Sequence, residues 1–420
     1  MRKLYTAVLY AALPLVLLRL IWRGVKARSY LYRWGERFGR FTSPALPARP
    51  IWVHAVSVGE SVAAAPLIEG LLQQYPGVPV VVTTTTPTGS ERIQALFGDR
   101  VFHVYAPYDL PFAVNGFLGR THPRLLLLME TEIWPNLIAA CHTRRISVVL
   151  ANARMSERSA KGYRRLGELT GRTLREIDLI AAQTEADRQR FIGLGADRHR
   201  VEVTGSIKFD TRIPASLREQ GEVLRRYLGT GRPVWIAAST HDGEDELVLD
   251  AFDQVRARIP DSLLVLVPRH PERFQRVAGL CRRRDLVTVL RSEGAPVEPD
   301  CAVYLGDTMG ELTLLYAAAD LAFVGGSLVP TGGHNVLEPA ALGLPVLVGP
   351  HTFNFAEIVS MLLVHDAARE ITDSDQLAER VIELLQDANL RHVLGENGRE
   401  LIERNRGALE RLKERIESLM

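Results

Sequence analysis

One stretch of the sequence combines residue types that suit a bound nucleotide. Within residues 322–349, the pairs Gly325-Gly326 and Gly332-Gly333 follow an apolar run and precede Asn335 and Glu338. Glycines let an anion approach the main chain, and a helix start offers N–H groups and a positive dipole end. Glu338, one turn into the expected helix, suits ribose hydroxyls as an acceptor. The pattern predicts a nucleotide phosphate site, whereas a lone glycine pair more often only closes a turn.

A second set of polar residues follows apolar runs in the first half of the chain. Each run has the length and composition of a buried strand. The residues just beyond these runs are Glu60, Thr84, Glu130, Asn152, Arg154 and Lys208. In open parallel sheets, ligands bind beyond the carboxyl ends of the strands. We therefore expect these side chains to lie together at one binding edge.

The elements that position both sets are strands alternating with helices along the whole chain. This alternation predicts an α/β fold with two doubly wound parallel sheets, because 420 residues exceed what one core usually fills. A charged segment with Pro214, Gly229 and Gly231 marks the expected hinge. The predicted divisions are a membrane anchor (1–22), a first Rossmann-like domain (23–210), the hinge (211–232) and a second Rossmann-like domain (233–420).

The amino terminus carries an apolar run from Leu4 to Leu18 with basic residues around it. The basic residues that follow it are Arg23, Lys26, Arg28, Arg33, Arg37 and Arg40, against Glu36 alone among acids. This asymmetry predicts a membrane anchor, with the next segment on the cytoplasmic face, rather than a cleaved signal peptide. The run is marginal in length for a full span, so a spanning and an interfacial helix are both open. The basic segment suits anionic lipids, and a solvated linker is an equal alternative.

Composition excludes several classes of protein. Apolar residues make up 46% and charged residues 24% of the chain, which is typical of a folded globular protein. The net charge of +2 argues against a nucleic-acid partner. Three cysteines without a C-x-x-C pair fit reduced thiols in the cytosol. His54, His241, His270 and His334 stand in separate motifs, and no zinc-type spacing is present.

Nine short motifs lie between Trp52 and Pro350. They are SVGE, TTTTPTG, ETEIWPN, NARMSERS, TGSIKFD, ASTHDGE, PRHPERF, GDTMGE and GGHNVLEP. Each motif alone is weak, and the set is specific. Together they resemble the lipid A 3-deoxy-D-manno-octulosonic acid (Kdo) transferases, a family with the glycosyltransferase B (GT-B) fold. The resemblance covers most of the chain and includes the membrane-proximal start.

The resemblance implies an inverting transfer of Kdo from CMP-Kdo to a lipid A precursor, at the cytoplasmic face of the inner membrane. The acceptor hydroxyl must lose a proton, and the resemblance at SVGE gives Glu60 as the general base. We expect the helix start to keep this carboxylate ionised. The alternative is that Glu60 only caps the helix. Glu130 and Glu132 are second choices, with structural pairing to Arg154 as their alternative role.

The resemblance also implies a CMP site in the second domain. Its residues are Pro268, Arg269, Met309, Gly310, Glu311, Asn335, Val336, Leu337 and Glu338, with Ser239 nearby and Lys208 as a further cation. Cations and N–H groups are needed there because the leaving phosphate gains negative charge. No D-x-D pair stands at a strand end, so neither a metal nor a cofactor is expected, CMP-Kdo being the donor substrate.

The lipid acceptor is expected in the first domain. The basic segment from Arg23 to Arg40 and the apolar side chains of Phe112, Phe117 and Leu118 are the candidates for contacts with it. Three alternative functions share this sequence pattern: another GT-B enzyme that uses a UDP sugar, a sugar-nucleotide epimerase, and a membrane-docked nucleotide-binding module without catalysis.

Overall fold

A computed structural model describes residues 1–26, 28–44, 46–210 and 213–420. The chain divides into two units, of which the first comprises Met1–Asp210 with Arg406–Met420 and the second comprises Thr211–Asn405. Each unit contains a parallel sheet with helices between successive strands. The prediction of two doubly wound α/β sheets is therefore confirmed.

The first unit is built on a sheet that has seven strands within the described residues. Its strands are β1 Ile51–His54, β2 Val80–Thr84, β3 Phe102–Tyr105, β4 Leu125–Met129, β5 Ser147–Ala153, β6 Leu179–Ala182 and β7 Val201–Val203. They lie in the order β3-β2-β1-β4-β5-β6-β7 and all pair in parallel. The helices are α1 Arg2–Lys26, α2 Trp34–Arg37, α3 Val58–Gln74, α4 Pro87–Phe97, α5 Pro111–Thr121, α6 Pro135–Thr143, α7 Glu157–Arg165, α8 Glu168–Arg175 and α9 Glu185–Gly193.

The strands of this sheet are continuous apolar runs because both faces are covered by helices. In β4, all five residues are fully buried. Side chains alternate between the two faces. Leu126 and Leu128 join the cluster around Trp52 and Phe117, while Leu125 and Leu127 join the cluster on the other face. This packing fixes the strand ends, and with them the edge that carries the candidate residues.

The second unit repeats the architecture, again with seven strands among the described residues. Its strands are β8 Val234–Thr240, β9 Leu263–Pro268, β10 Thr288–Leu290, β11 Val303–Leu305, β12 Leu321–Val324, β13 Val346–Val348 and β14 Ala368–Glu370. The order is β10-β11-β9-β8-β12-β13-β14, with parallel pairing throughout. The helices are α10 Ala215–Leu228, α11 Glu244–Arg258, α12 Phe274–Arg283, α13 Leu312–Ala317, α14 Leu337–Ala341, α15 Ala356–Val364, α16 Ser374–Gln386 and α17 Ala388–Asn405.

The end of the chain departs from the predicted division at 233–420. The last helix, α18 Ala408–Glu417, belongs to the first unit. Its apolar residues at four-residue spacing, Ala408, Leu412 and Ile416, are fully buried in the cluster that contains Ile51. The Asp210 carboxylate accepts hydrogen bonds from main-chain N–H groups at the start of this helix. An amphipathic helix packs where an apolar surface is uncovered, and nothing in its local sequence says which sheet provides it.

The predicted hinge at 211–232 is also corrected. Most of it is helix α10, whose Leu224 and Leu228 are buried in the core of the second unit. Arg225 of the same helix forms a salt bridge of 2.8 Å with Asp320. Residues 211 and 212 lie outside the described residues. The charges of this segment lie on the outer face of an amphipathic helix, which continues into the second unit.

The predicted anchor forms a longer helix than the range 1–22. Helix α1 runs from Arg2 to Lys26. Of the described residues, Arg2–Val25 form the one helix that is long and apolar enough to cross a membrane.

Candidate active site

The first unit carries Glu60 where strand β1 gives way to helix α3. Ser57 is the N-cap residue, and its hydroxyl accepts a hydrogen bond from the main-chain N–H of Glu60 at 3.3 Å. The Glu60 carboxylate accepts the N–H of Val56 at 2.7 Å and the hydroxyl of Ser57 at 3.0 Å. This reciprocal arrangement differs from a capping box only in that the carboxylate accepts the N–H of the residue before the N-cap, and it fixes the carboxylate at the edge of the sheet.

The environment of Glu60 changes its protonation. Burial and the nearby carboxylates of Glu132 and Glu130 raise the pKa of Glu60 to about 7, although the hydrogen bonds from Val56 and Ser57 act in the opposite direction. The expectation that the helix start keeps this carboxylate firmly ionised is wrong, because loss of hydration outweighs the favourable helix end. A carboxyl group with this pKa takes up and releases a proton near neutral pH.

Glu130 stands at the end of β4 with a positive φ of 55°. Its carboxylate forms salt bridges with Arg154 at 3.3 Å and with Lys208 at 3.0 Å. The alternative considered for Glu130, pairing to Arg154, is confirmed. Lys208 belongs to the first unit and pairs with Glu130 there, and its role as a further cation for CMP stays a prediction. A non-glycine residue with positive φ is held by its surroundings, and such residues cluster at functional sites.

Glu132 follows on the same loop and accepts the indole N–H of Trp134 at 2.6 Å. Burial raises its pKa, and the Glu130 carboxylate adds to this. The Trp134 ring contacts His54 edge-on, with ring centroids 4.9 Å apart. Burial holds the pKa of His54 at about 4, so this imidazole is neutral. Glu60, Glu130 and Glu132 are thus brought together, and the pKa values of Glu60 and Glu132 are raised.

In the second unit, the main-chain N–H groups of the glycine loop after β12 are bonded to a side chain of the same unit. Glu244, the first residue of α11, is fully buried. Its carboxylate accepts main-chain N–H groups of Gly326 at 2.6 Å, Ser327 at 3.0 Å and Leu328 at 2.8 Å. The prediction that the first glycine pair offers free N–H groups to a phosphate is therefore wrong. A buried carboxylate already satisfies these donors, and the glycines allow it to approach.

Histidines from separate motifs of the sequence meet at this edge. The Nε2 atoms of His241 and His334 are 2.8 Å apart, and the two rings stack. His270 lies edge-on to His241, with centroids 5.4 Å apart. Burial and the positive charge of Arg269 hold the pKa of His334 at about 4, and burial also lowers that of His241. The imidazoles of His241 and His334 are therefore mostly neutral, and Arg269 supplies the fixed positive charge beside them.

Arg269 directly follows Pro268, the last residue of β9, and its side chain is exposed. Its main-chain N–H donates to Thr240 at 3.0 Å, beside the irregularity in strand pairing at Ser239. Ser239 is buried and has a φ of 57°. Three of the predicted donor-site residues therefore converge at the carboxyl ends of two neighbouring strands.

The remaining residues predicted to bind the CMP-sugar donor differ in how accessible they are to a ligand. Met309 is 64% exposed, and Gly310 has a φ of 85°. Glu311 forms a salt bridge with Arg291 at 2.9 Å, and this guanidinium, together with the Thr308 hydroxyl, lowers its pKa. Glu311 is thus held ionised at the N-cap of α13.

The segment Asn335–Glu338 begins the short helix α14. Val336 and Leu337 are buried, so only their main-chain atoms are available to a ligand. The carboxylate of Glu338 accepts from the Asn335 amide at 2.9 Å and from the Thr313 hydroxyl at 3.0 Å. Each of its oxygens retains a second lone pair, which suits a ribose hydroxyl.

Two predictions about the lipid side are corrected. Phe117 and Leu118 are buried in the first core, and only Phe112 of that set is exposed. Arg37 is buried against the ring of Tyr105, and Arg33 is engaged with Glu36, Ser90 and the carbonyl of His103. The basic segment is therefore partly structural and not uniformly available to headgroups.

Sequence reasoning missed Glu244 and the contact between His241 and His334. Both lie in motifs that were noted, ASTHDGE and GGHNVLEP. The strands that precede these motifs, β8 and β12, are direct neighbours in the sheet. Sheet order was the missing information, since adjacent parallel strands bring their following loops together.

Comparisons with known proteins agree with this arrangement. Residues 32–211 match a family model described as 3-Deoxy-D-manno-octulosonic-acid transferase (kdotransferase), and residues 244–401 match glycosyl transferases group 1. A 3-deoxy-D-manno-octulosonic acid transferase of Haemophilus influenzae is 44% identical, over 98% of this chain and 97% of the relative. One of Bordetella pertussis is 38% identical, over 99% of both chains.

Solved structures show the same fold at low sequence identity. A UDP-GlcNAc 2-epimerase from Neisseria meningitidis has a TM-score of 0.54 and 15% identity, covering 85% of this chain and 99% of its own. This likeness concerns the two-domain GT-B architecture alone. The family match and the similarity to curated enzymes over nearly their full length show more than a shared fold. The chain is a glycosyltransferase and belongs to the 3-deoxy-D-manno-octulosonic acid transferase family.

Proposed function

We propose that this enzyme transfers Kdo from CMP-Kdo to a hydroxyl of a lipid A precursor, lipid IVA, with inversion at the anomeric carbon. The acceptor oxygen forms the new bond to that carbon, and the bond to the CMP phosphate breaks. The hydroxyl proton passes to Glu60, and CMP leaves with the bonding electron pair. The family membership supports the transferred sugar, while donor, acceptor and base are the proposal.

The observation that carries the proposal is the state of Glu60. Its carboxylate is half-buried at the edge of the sheet, fixed by Val56 and Ser57, and has a pKa of about 7. A general base works best when its pKa lies near the operating pH. A residue that served only as a helix cap would gain from a low pKa, because an ionised carboxylate stabilises the helix end.

The donor is assigned to the second unit. Arg269 is exposed, and its guanidinium forms no salt bridge with the described residues, which leaves it available for a phosphate. Glu338 is held by Asn335 and Thr313 in a position to accept ribose hydroxyls. Pro268, Ser239, Met309, Gly310, Glu311, Val336 and Leu337 complete the proposed CMP site.

The direct test is incubation of the purified enzyme with CMP-Kdo and a tetra-acylated lipid A precursor, followed by mass analysis of the lipid. The expected result is a lipid heavier by whole Kdo residues, together with free CMP. An unchanged lipid, with turnover of a UDP sugar in its place, would favour the other GT-B enzymes or the epimerases. Binding of CMP without any turnover would favour a non-catalytic module.

The pH dependence gives a second expectation. Because Glu60 must be ionised to accept a proton, kcat/KM should rise with pH from about 6 and level off above about 8, with an apparent pKa near 7. The ascending limb should report Glu60 and vanish from the residual activity of Glu60→Gln. The measurement is a pH profile at limiting CMP-Kdo. A profile that stays flat through pH 7 would contradict the assignment.

Removal of the Arg269 side chain should weaken donor binding. For Arg269→Ala we expect kcat/KM for CMP-Kdo to fall roughly tenfold to a hundredfold, the range for a lost hydrogen bond to a charged group. The matched control is Arg282→Ala, an exposed arginine at the end of α12, which should leave the kinetics unchanged. Equal values for the two variants would remove Arg269 from the proposed site.

No metal or cofactor is included in the proposal. Arginine and main-chain N–H groups can neutralise a leaving phosphate without a metal ion. The rate of Kdo transfer should therefore be unaffected by EDTA and by added Mg²⁺. Activity that disappears with EDTA and returns with Mg²⁺ would show that this part is mistaken.

We assign the enzyme to the cytoplasmic face of the inner membrane, with anionic lipids around its amino-terminal part and no nucleic-acid partner. The support is the apolar helix α1 and the basic residues after it. A lipid acceptor also favours this location, because its acyl chains stay in the bilayer.

A further inference from the structure

The first turns of α1 are tied to the body of the first unit by polar contacts. Arg2 forms a salt bridge with Glu176 at 3.4 Å. Tyr5 donates its phenolic O–H to Asp109 at 2.9 Å, and Thr6 donates to Asn136 at 3.0 Å. One turn further on, the ring of Tyr10 stacks on Phe112. The amino-terminal end of the helix therefore rests on Asp109 just before α5, on α5 and α6, and on the residue that follows α8.

The other end of α1 returns to the same body. Leu31, in the short turn after the helix, packs against Gly24, and Arg23 lies over the ring of Tyr30. A few residues later, the Glu36 carboxylate accepts the main-chain N–H of Tyr105 at 2.8 Å. The amino-terminal end of the helix is thus fixed directly to the first unit, and its carboxyl end packs on a turn that leads to Glu36, which is bonded to the same unit.

These contacts are incompatible with a helix that crosses the membrane. Twenty-five residues at about 1.5 Å each give a helix of roughly 37 Å, and a spanning orientation would put its two ends on opposite sides of a hydrocarbon core of about 30 Å. Arg2, Tyr5 and Thr6 would then be separated from Glu176, Asp109 and Asn136 by the bilayer. All three contacts would be lost, including hydrogen bonds to buried groups.

The two sides of the helix differ along its whole length. The less exposed positions recur every three or four residues from Arg2 to Gly24, which is the spacing of one helical face. The opposite face is apolar and open, with Leu4, Val8, Leu15, Leu18, Trp22 and Val25 all more than half exposed. Arg19 is also exposed on it. An exposed apolar stripe with a cation and a tryptophan suits the headgroup boundary of an anionic bilayer.

We propose that α1 lies in the plane of the membrane surface and does not span it. Its open face enters the boundary between headgroups and acyl chains of the cytoplasmic leaflet, and its amino terminus stays on the same side as both α/β units. This inference rests on the proposed membrane location of the enzyme. It makes the chain a monotopic protein, with α1 holding the first unit at the lipid surface.

Cysteine labelling of the full-length enzyme in native membrane vesicles tests the orientation. The natural cysteines, Cys141, Cys281 and Cys301, are buried, so background labelling is low. Lys3→Cys reports the amino terminus, and Gln94→Cys, an exposed position on α4, reports the body. A membrane-impermeant maleimide should label both variants in inside-out vesicles and neither in right-side-out vesicles.

A spanning helix would give the opposite result for Lys3→Cys, with labelling in right-side-out vesicles only. Labelling in both preparations, or only after detergent is added, would also overturn the proposal. Kdo transfer is measured in the same vesicles. Absent transfer with the expected labelling would refute the proposed function and leave the topology standing, since the label does not depend on catalysis.

The exposed apolar face of α1 could instead be covered by a second copy of the chain. Flotation with phosphatidylcholine vesicles, with and without phosphatidylglycerol, distinguishes the two. We expect the enzyme to float with vesicles, more strongly with the anionic lipid, and Leu15→Asp with Leu18→Asp to abolish flotation. A soluble dimer that ignores both vesicle types, and that the same two changes convert to a monomer, would overturn the proposal.

Discussion

Glu60→Gln is expected to lower kcat for Kdo transfer by a factor of about 10²–10⁴, the usual contribution of a general base. The Michaelis constant for CMP-Kdo should change by less than about threefold, because the variant removes an interaction that matters in the transition state and not in donor binding. An amide has nearly the shape of the carboxylate and still accepts a hydrogen bond from Val56 or Ser57, but it cannot take up the acceptor proton.

The matched control is Glu69→Gln on the same helix. Glu69 is partly exposed and pairs with Arg100 at 2.9 Å, and its replacement should leave kcat unchanged. Near-normal turnover by folded Glu60→Gln would exclude Glu60 as the base. If Glu60→Gln stayed active while Glu130→Gln or Glu132→Gln lost activity, the role of general base would move to that carboxylate.

Stability separates a catalytic role of Glu60 from a purely structural one. A carboxyl group with a raised pKa in the folded protein takes up a proton on folding, so stability falls as pH rises from the ordinary value of 4.5 through about 7. The neutral amide does not suffer this loss. The unfolding midpoint of Glu60→Gln at pH 8 should therefore equal or exceed that of the parent enzyme. A lower midpoint would mean that capping dominates.

Glu244→Ala should destabilise the second unit by on the order of 4 kcal/mol, as expected when several buried donors lose their acceptor. The carboxylate accepts N–H groups of Gly326, Ser327, Leu328 and His241. Alanine supplies no other acceptor for these groups, and the N–H groups of Gly326 and Ser327 are buried. The measurement is the free energy of unfolding in urea.

The control for this variant is Glu246→Ala in the same first turn of α11. Glu246 contacts Arg276 at 3.7 Å on the surface, so its loss should cost less than about 1 kcal/mol. We also expect Glu244→Ala to weaken CMP binding, since the loop it holds leads into His334 and Asn335. Stability equal to that of the control would mean that the glycine loop does not depend on Glu244.

The glycine loop is a place where the local sequence predicts part of the structure and the fold decides the rest. The residues Gly325-Gly326 do mark a place where a negatively charged group meets main-chain N–H groups, as the pattern predicts. The group is the Glu244 carboxylate, about eighty residues earlier in the chain, and not a ligand phosphate. Local sequence gives the donor geometry, but it does not identify which acceptor fills it.

Helix α18 and Arg37 illustrate the same limit. The spacing of Ala408, Leu412 and Ile416 predicts an amphipathic helix, and only the folded chain assigns it to the first sheet. Arg37 belongs to a basic run that suits a membrane surface, but its guanidinium is buried on the Tyr105 ring. Charge in a sequence does not reveal which side chains the fold turns inward.

By itself, the sequence determined the two parallel sheets, the apolar amino-terminal helix, the family, and the edge residues from Glu60 to Glu338, because period, composition and short motifs are local properties. Tertiary structure alone decided that burial beside Glu132 raises the pKa of Glu60, that Glu244 fills the glycine loop, that His241 meets His334, and that the amino-terminal end of α1 rests on the first unit. Hydration and charge at a site depend on every group within a few ångströms, and those groups come from segments far apart in the chain.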